Sequence, residues 1–565
     1  MCSANVLAMG VSSMKLLSSV AVLALAASLA TGAAAQSSEV QSSGFDAARI
    51  SEEIRILSDD SFEGRGIATP AEAKVIDFLS TKFAEAGFAP GGENGGWTQA
   101  VTLNRIASTN VKAALHQAGT HKTLTQGQEV TLSSRLPGDN VDIKNAPLIF
   151  VGYGVNAPER DWNDFKGMDV RGKILVVLVN DPDFEEPELN TFGGKAMTYY
   201  GRWTYKYEEA ARQGAAGVLI VHETAPAAYG WTTVQNSWSV PQFDIVRENA
   251  AAERIPVEGW VQRDVAAQIF ANAGLDFDEQ KRLARSKDFQ PVELKASLDA
   301  SMDVASSQIV THNVVARLEG SKRPDETILY GAHWDHIGIG TDEGVNGDRI
   351  FNGAVDNASG TVAIVEIARR FGAGPRPERS IVMVAFTAEE SGLLGSEYYA
   401  SNPLYPLETT VAGFNIDAAN VYGRKSMLNI TGFGHSDLDD RLSAVATSQG
   451  RGIVPDAGAA AGIYFRSDHF PLAKRGVPMS YINSAGDFLD APIEPRKALQ
   501  TRYSQVGYHQ VADEWSPDWD LSGMIQDMEV NYQAGSALAN STEWPQWKPT
   551  SEFSTVRATS ADKRQ

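Results

Sequence analysis

The chain has 565 residues, 43% hydrophobic and 21% charged, with 70 Asp and Glu against 49 Lys and Arg for a formal charge of −21. That balance reads as an ordinary soluble, acidic protein, and it excludes a nucleic-acid or anionic-lipid partner, since both need a basic surface. So long a chain exceeds one compact core and predicts more than one domain.

In chain order, the first element is a leader. "MKLLSSVAVLALAASLATGAAA" has one Lys, then an apolar core of about fifteen residues, then Ala33-Ala34-Ala35, the pattern of a secretory signal peptide over residues 1–35. A membrane anchor needs about twenty apolar residues, so no span is expected once the signal is removed. Residues 1–13 read as an upstream extension, with Met14 as the start. The single cysteine, Cys2, lies in this leader. The mature protein is therefore expected outside the cytoplasm, periplasmic or secreted, with no disulfide and no thiolate ligand.

Residues 45–135 include "AEAKVIDFLSTKFAEAGF", where Val75, Leu79, Phe83 and Phe88 recur at nearly helical spacing and Gly87 ends the run. Two alternating segments, "QAVTLNRI" and "NVKAALHQAG", follow as strands. Residues 140–285 change texture. "APLIFVGYGV", "GKILVVLVNDP" and the helix-then-strand "YEEAARQGAAGVLIVHE" predict a small separate α/β or β-rich unit. Residues 300–545 settle into strand–loop–helix units. The strands are "HNVVARLEG", "ETILYGAH", "RSIVMVAFT", "VAGFNID" and, more weakly, "VPMSYIN"; the helices include "GTVAIVEIARRF" and "DLSGMIQDMEVNYQ". Apolar strands alternating with helices predict an α/β fold with a mostly parallel central sheet. Residues 546–565 are polar and aperiodic and read as a disordered tail.

The chemistry sits where strands end, the place at which open α/β sheets gather functional groups. His333 follows the strand ending at Tyr330, and Asp356 lies in the glycine-punctuated "FNGAVDNASG" before a helix. Glu389 and Glu390 follow Phe386, Asp417 ends "GFNID", and His509 sits in "YHQVADEW" before the last helix. Taken singly, each has an ordinary reading: a hydrogen-bonded surface histidine, a turn acid, or a helix cap. Carboxylates crowded together repel, however, and a shared site needs a cation. Two ions fit the ligand count better than one. Asp356 could bridge them, with His333 and Asp417 on one and Glu390 and His509 on the other. Adjacent glutamates cannot both face one ion from a regular element, so Glu390 is assigned as ligand and Glu389 as general base. Asp335, two residues after His333 on an extended chain, is expected to accept the other ring N–H of His333. His336 points elsewhere on that reading.

"GAHWDH", "GAVDNASG", "FTAEESGLLGS", "NID", "YFRSDHFP" and "YHQVADE", in that order, resemble the M28 family of di-zinc metallopeptidases. "GRG" at Gly64–Gly66 is similar to that group as well. "VGYGV" and "RGKILVVLV" resemble the protease-associated domain inserted in many such enzymes. The resemblance implies a zinc-exopeptidase-like catalytic domain in two parts, 45–135 and 300–545, interrupted by a β-rich protease-associated insert at 140–285. It places His333, Asp356, Glu390, Asp417 and His509 on metal-ligand positions, Glu389 on the general base and Asp335 on the acid that orients His333. Tyr464 falls on an oxyanion-stabilising tyrosine. The implied cofactor is two Zn2+, with Co2+ or Mn2+ as substitutes, and the implied partner is a peptide or dipeptide. The expected activity is that of an aminopeptidase. A glutamate carboxypeptidase is the alternative, and a one-zinc glutaminyl cyclase or a non-catalytic binding protein ranks lower.

Overall fold

A computed structural model describes residues 44–340, 347–456 and 458–564. The predicted signal peptide lies outside these residues. Among those described, no helix is long and apolar enough to cross a membrane.

One mixed sheet, of sixteen strands among the described residues, runs through the molecule. At one end Met479–Phe488, Thr410–Asn415, Arg323–His333 and Arg379–Phe386 lie side by side in parallel. At the other, Asn140–Phe150, Ile174–Leu178, Gly217–His222 and Val257–Gln262 make a second parallel group. Between them runs Val292–Leu318, a strand of 27 residues paired antiparallel to Thr98–Gln117 from Val314↔Thr98 to Ala296↔Gln117. The mostly parallel sheet expected from the sequence thus holds within each end, and the long antiparallel strands that join the ends make the whole sheet mixed.

The first parallel group is buried on both faces, as its unbroken apolar runs predict; every residue of Arg379–Phe386 is buried. Helix Gly360–Ala373 covers one face with Val362, Ile364, Val365, Ile367 and Phe371. Helix Pro70–Glu85 adds Val75, Leu79 and Phe83, and helix Ser522–Ala539 adds Met524 and Met528. Val382, Val384 and Phe386 face the opposite layer with Tyr399 and Leu472.

Two predicted boundaries change. The second parallel group has its own core, and that core already includes Ile106, Leu115, Leu124, Val130 and Leu132. It therefore takes in residues assigned from sequence to 45–135, because strand Thr98–Gln117 continues as one element into the second core, through an exposed stretch and a bulge rather than a loop. Nor is the segment 546–565 a disordered tail over the described residues. Trp547 donates its indole N–H to the Gly476 carbonyl at 2.8 Å, and Arg557 donates to the carbonyls of Leu407 and Thr410 at 3.0 and 2.8 Å. Phe553 is buried beside them. Three anchors at irregular spacing among polar residues leave no periodicity to read.

Candidate metal centre

The register of the first parallel group builds the site. His333 lies opposite Phe386, Gly331 opposite Asn415, and Asn415 opposite Tyr481. The residues just beyond these positions, Asp335, Glu389, Glu390 and Asp417, therefore emerge on one rim. Asp356 reaches the same rim from the irregular turn Ala354–Ser359 that leads into helix Gly360–Ala373. Asn357 staples this turn to the Asp417 loop, donating to the Ile416 carbonyl at 3.0 Å and accepting from the Ala418 N–H at 3.1 Å.

His333 Nε2 lies 3.2 Å from Asp356 Oδ1 and 3.2 Å from Asp417 Oδ1. The other Asp356 oxygen, Oδ2, lies 3.2 Å from His509 Nε2, which is also 3.2 Å from Glu390 Oε2. The five residues predicted as ligands thus converge, with Asp356 facing both ways. Ser467 donates to Asp417 Oδ2 at 2.7 Å and accepts from Asn415 Nδ2 at 2.7 Å. Asp513 accepts the N–H groups of Val355 and Asp356 at 2.9 and 3.0 Å. Neither residue is evident from sequence spacing, because each acts through a neighbour's backbone or carboxylate.

Three expectations are corrected. Asp335 is not the main acceptor for His333: its carboxylate is 3.9 Å from His333 Nδ1, whereas its backbone carbonyl is 3.1 Å away. The Asp335 carboxylate instead accepts the N–H groups of Glu389 and Glu390 at 3.1 and 3.4 Å, because the chain leaves the extended conformation after His333 and two-residue alternation no longer applies. For the same reason His336 does not point away; its Nδ1 lies 2.6 Å from Glu390 Oε1. Tyr464 does not reach the rim. Its ring is buried, stacked on His435 with centroids 5.0 Å apart and edge-on to His469 at 4.7 Å, and its hydroxyl has no hydrogen-bond partner. A three-residue offset from "SDH" is too short a segment to fix which way a ring turns in a 3-10 turn. Two other tyrosines, Tyr481 and Tyr508, line the cavity in front of the acids, and Tyr508 stacks on His509 with centroids 4.0 Å apart.

The electrostatics are those of negative charge held out of water. Burial raises the Glu389 carboxyl well above its ordinary range, and the neighbouring Glu390 charge adds to this. Burial likewise lifts Asp335 to about 7 and Asp468, hydrogen-bonded to Ser396, to about 7. Burial opposes a charge on His333, but Glu389, Asp417 and Asp356 outweigh it and hold the ring well above its usual pKa. For Asp356 burial again opposes, and the hydrogen bonds from His333 and His509 win, pulling it below the carboxylate range. The residues fit a bound cation. His333, Asp356 and Asp417 bring ligand atoms within 4.8 Å of one another, and so do His336, Asp356 and Glu390. Glu390 Oε1 has only the His336 Nδ1 contact at 2.6 Å, outside hydrogen-bond geometry, and His336 Nε2 is buried without a hydrogen-bond partner among the described residues, the condition a cation at this point would relieve.

These groups open into a cavity of about 950 Å3. Asp356, Glu389 and His509 form its floor, and Arg202, Trp203 and Trp238 line it from the second parallel group.

Residues 313–533 match the model of peptidase family M28, and they contain all five converging ligand candidates and Glu389. This segment of the chain is thus similar to the M28 peptidases. It is 30% identical over 298 residues to the probable glutamate carboxypeptidase AMP1 of Arabidopsis thaliana, covering 48% of this chain and 37% of that protein. It is 34% identical over 303 residues to aminopeptidase NAALADL1 of Mus musculus, covering 43% and 38%. The chain therefore spans less than half the length of these M28 relatives. Among solved structures, an aminopeptidase from Aneurinibacillus sp. strain AM-1 superposes with a TM-score of 0.47 at 19% identity, over 87% of this chain and 93% of that one.

Proposed function

We propose that this chain is a metal-dependent exopeptidase, an aminopeptidase that removes N-terminal residues from peptides or dipeptides. The observation that carries the reading is the two-sided Asp356 carboxylate. One oxygen faces His333, which also meets Asp417, and the other faces His509, which also meets Glu390. Such an imidazole and carboxylate set suits two Zn2+, or Co2+ or Mn2+ in their place. Divalent ions held there would acidify water and polarise a substrate carbonyl.

The rest is the work of this chain's own side chains. Glu389, buried at the cavity floor with its affinity for a proton raised, takes a proton from water and returns it to the leaving amine. Asp335 holds the Glu389–Glu390 peptide through two N–H bonds, so that base and ligand keep their places. Tyr508, stacked on His509 at the mouth of the site, is the better candidate for stabilising the oxyanion. The second core is read as a protease-associated insert that roofs the cavity and limits substrate length. Export to the periplasm or beyond rests on the sequence of residues 1–35 alone.

One observation favours a second reading, a glutamate carboxypeptidase-like enzyme. Arg202 and Arg466 both line the cavity, each with a buried Nε that lacks a hydrogen-bond partner among the described residues, while Arg466 Nη2 donates to the Ala461 carbonyl at 2.8 Å. Burial, with the Arg466 charge adding to it, lowers the Arg202 guanidinium to about 10. Two neighbouring guanidinium groups with free donors are a ready seat for a substrate carboxylate.

Metal analysis combined with a dipeptide panel tests both readings. The aminopeptidase predicts two zinc ions per chain, cleavage of free and C-amidated dipeptides, and no cleavage of N-acylated ones. The second reading predicts the reverse: N-acylated dipeptides with an acidic C-terminal residue are cleaved and C-amidation abolishes turnover. Hydrolysis indifferent to chelators would sink both.

A further inference from the structure

The "GRG" turn has no part in the chemistry above, yet it lies under the site. Its backbone is unusual: Glu63, Gly64 and Arg65 take φ values of 51°, 62° and 49° in succession. Left-handed backbone at two non-glycine residues is strained and persists only where the surroundings enforce it. Gly64 explains how close the turn comes. A Cβ there would lie 2.6 Å from the carbonyl oxygens of both Gly338 and Phe351.

Arg65 is fully buried and spreads its guanidinium over four carbonyls. Nε donates to Trp334 at 2.8 Å, Nη1 to Leu57 at 3.1 Å and Asn352 at 2.5 Å, and Nη2 to Gly353 at 2.7 Å. In return the Arg65 carbonyl accepts the His336 N–H at 3.3 Å. Trp334 lies between His333 and Asp335, and Gly353 lies three residues before Asp356. One planar fork therefore ties the loop bearing the two inner histidines to the loop bearing the bridging aspartate. None of its four acceptors is a carboxylate. The negative groups acting on it are Asp513, Asp335, Asp356 and Glu390, which are site residues or their supports.

We propose that Arg65 is the positioning residue of the metal cradle, setting the separation of the His333–His336 and Asn352–Asp356 loops. This rests on the reading of the rim as a metal site. Arg65 stands outside the segment that matches the family model, so a catalytic segment cut to those residues would lack it. Only a planar guanidinium spans the carbonyls; a lysine ammonium is a point charge that can satisfy one or two.

The test compares R65K with a matched control, R379K. Arg379 is also fully buried and holds the carbonyls of Leu538 and Glu543, both at 2.8 Å, along with the Glu326 carboxylate at 2.6 Å, and none of these flanks a residue of the site. Zinc affinity is measured by competition with a chromophoric chelator, and unfolding midpoints are measured with and without zinc. R65K is expected to weaken at least one zinc by about 10–100-fold, the usual effect of removing a ligand's support, and to shrink the zinc-induced rise in midpoint. Its kcat should return to within about threefold of wild type at saturating zinc, and R379K should lower the zinc-free midpoint while keeping wild-type affinity. Zinc affinity of R65K within about threefold of wild type would overturn the proposal, as would equal weakening by R379K. Arg65→Met is made in parallel. Should neither Arg65 variant yield a folded zinc-free chain while R379K does, the role is structural and the proposal fails. A wild-type chain that binds no zinc overturns the metal reading itself, an outcome distinct from a zinc-binding wild type that R65K matches.

Discussion

The molecule holds two parallel-stranded ends built alike, and they treat buried charge in opposite ways. In the second core, Lys206 is buried beside Asp164 and Asp181 and donates to the carbonyls of Tyr153, Asn180 and Tyr200. Asp244 is gripped by Arg247 and Arg254, and Glu258 by Arg135. Each buried acid there has a backbone donor or a cation of the chain's own. On the rim of the first group Asp356, Glu390 and Asp417 have only histidines as ion-pair partners among the described residues. A fold that gives its buried acids Arg, Lys or backbone N–H partners at one end and crowds three acids around histidines alone at the other suits the second place to a cation from outside. The sheet is the same; the crowded charge is what distinguishes a site from a scaffold.

The strongest break in this comparison comes from Glu389→Gln. The substitution removes a proton acceptor and keeps the shape, so kcat should fall by about 10²–10⁴ while zinc content stays at the wild-type level. A fall of less than about tenfold would remove Glu389 from the role of base. The ratio of zinc to protein, measured on the same sample, separates a lost base from a lost ligand.

Lys206→Met sharpens the other side. It strips three buried carbonyls of their donor and leaves Asp164 and Asp181 without their cation. Each unpaired buried acceptor costs about 1–3 kcal/mol, so urea unfolding should report a loss of at least about 3 kcal/mol. Zinc stoichiometry should not change. If the variant kept its stability, the second core would not depend on internal neutralisation, and the contrast between the two ends would dissolve.

The convergence of His333, Asp356, Glu390, Asp417 and His509 is legible in the sequence because four of the five follow a strand or open a helix, and aligned strand ends bring such positions to one rim. What is not legible depends on contacts across long separations or on the exact exit of the chain from a strand. His336 escapes because alternation ends at His333, so counting by twos turns it outward. Arg65 escapes because three of its four partners lie more than 260 positions away and all four are carbonyls, which carry no residue signature. The boundary of the second core escapes because two long strands cross it through a bulge rather than a loop, with no turn residues to mark it. Trp547, Phe553 and Arg557 escape because three anchors do not make a period.

The smallest expected effect belongs to Tyr464, and it separates two aromatic positions that the sequence cannot tell apart. The Tyr464 hydroxyl is buried with no partner, so Tyr464→Phe removes a group that already bears its desolvation cost. Stability should stay level or rise by up to about 1 kcal/mol, and kcat should stay within about twofold. Tyr508 is 53% exposed, lines the cavity and stacks on His509. Tyr508→Phe should leave stability unchanged and lower kcat more than it alters KM, because an oxyanion donor acts when charge develops and not when substrate binds. Should Tyr464→Phe prove the more damaging of the two in kcat, the ring must turn toward the rim in the working enzyme, and the tyrosine implied by the M28 resemblance would regain the role.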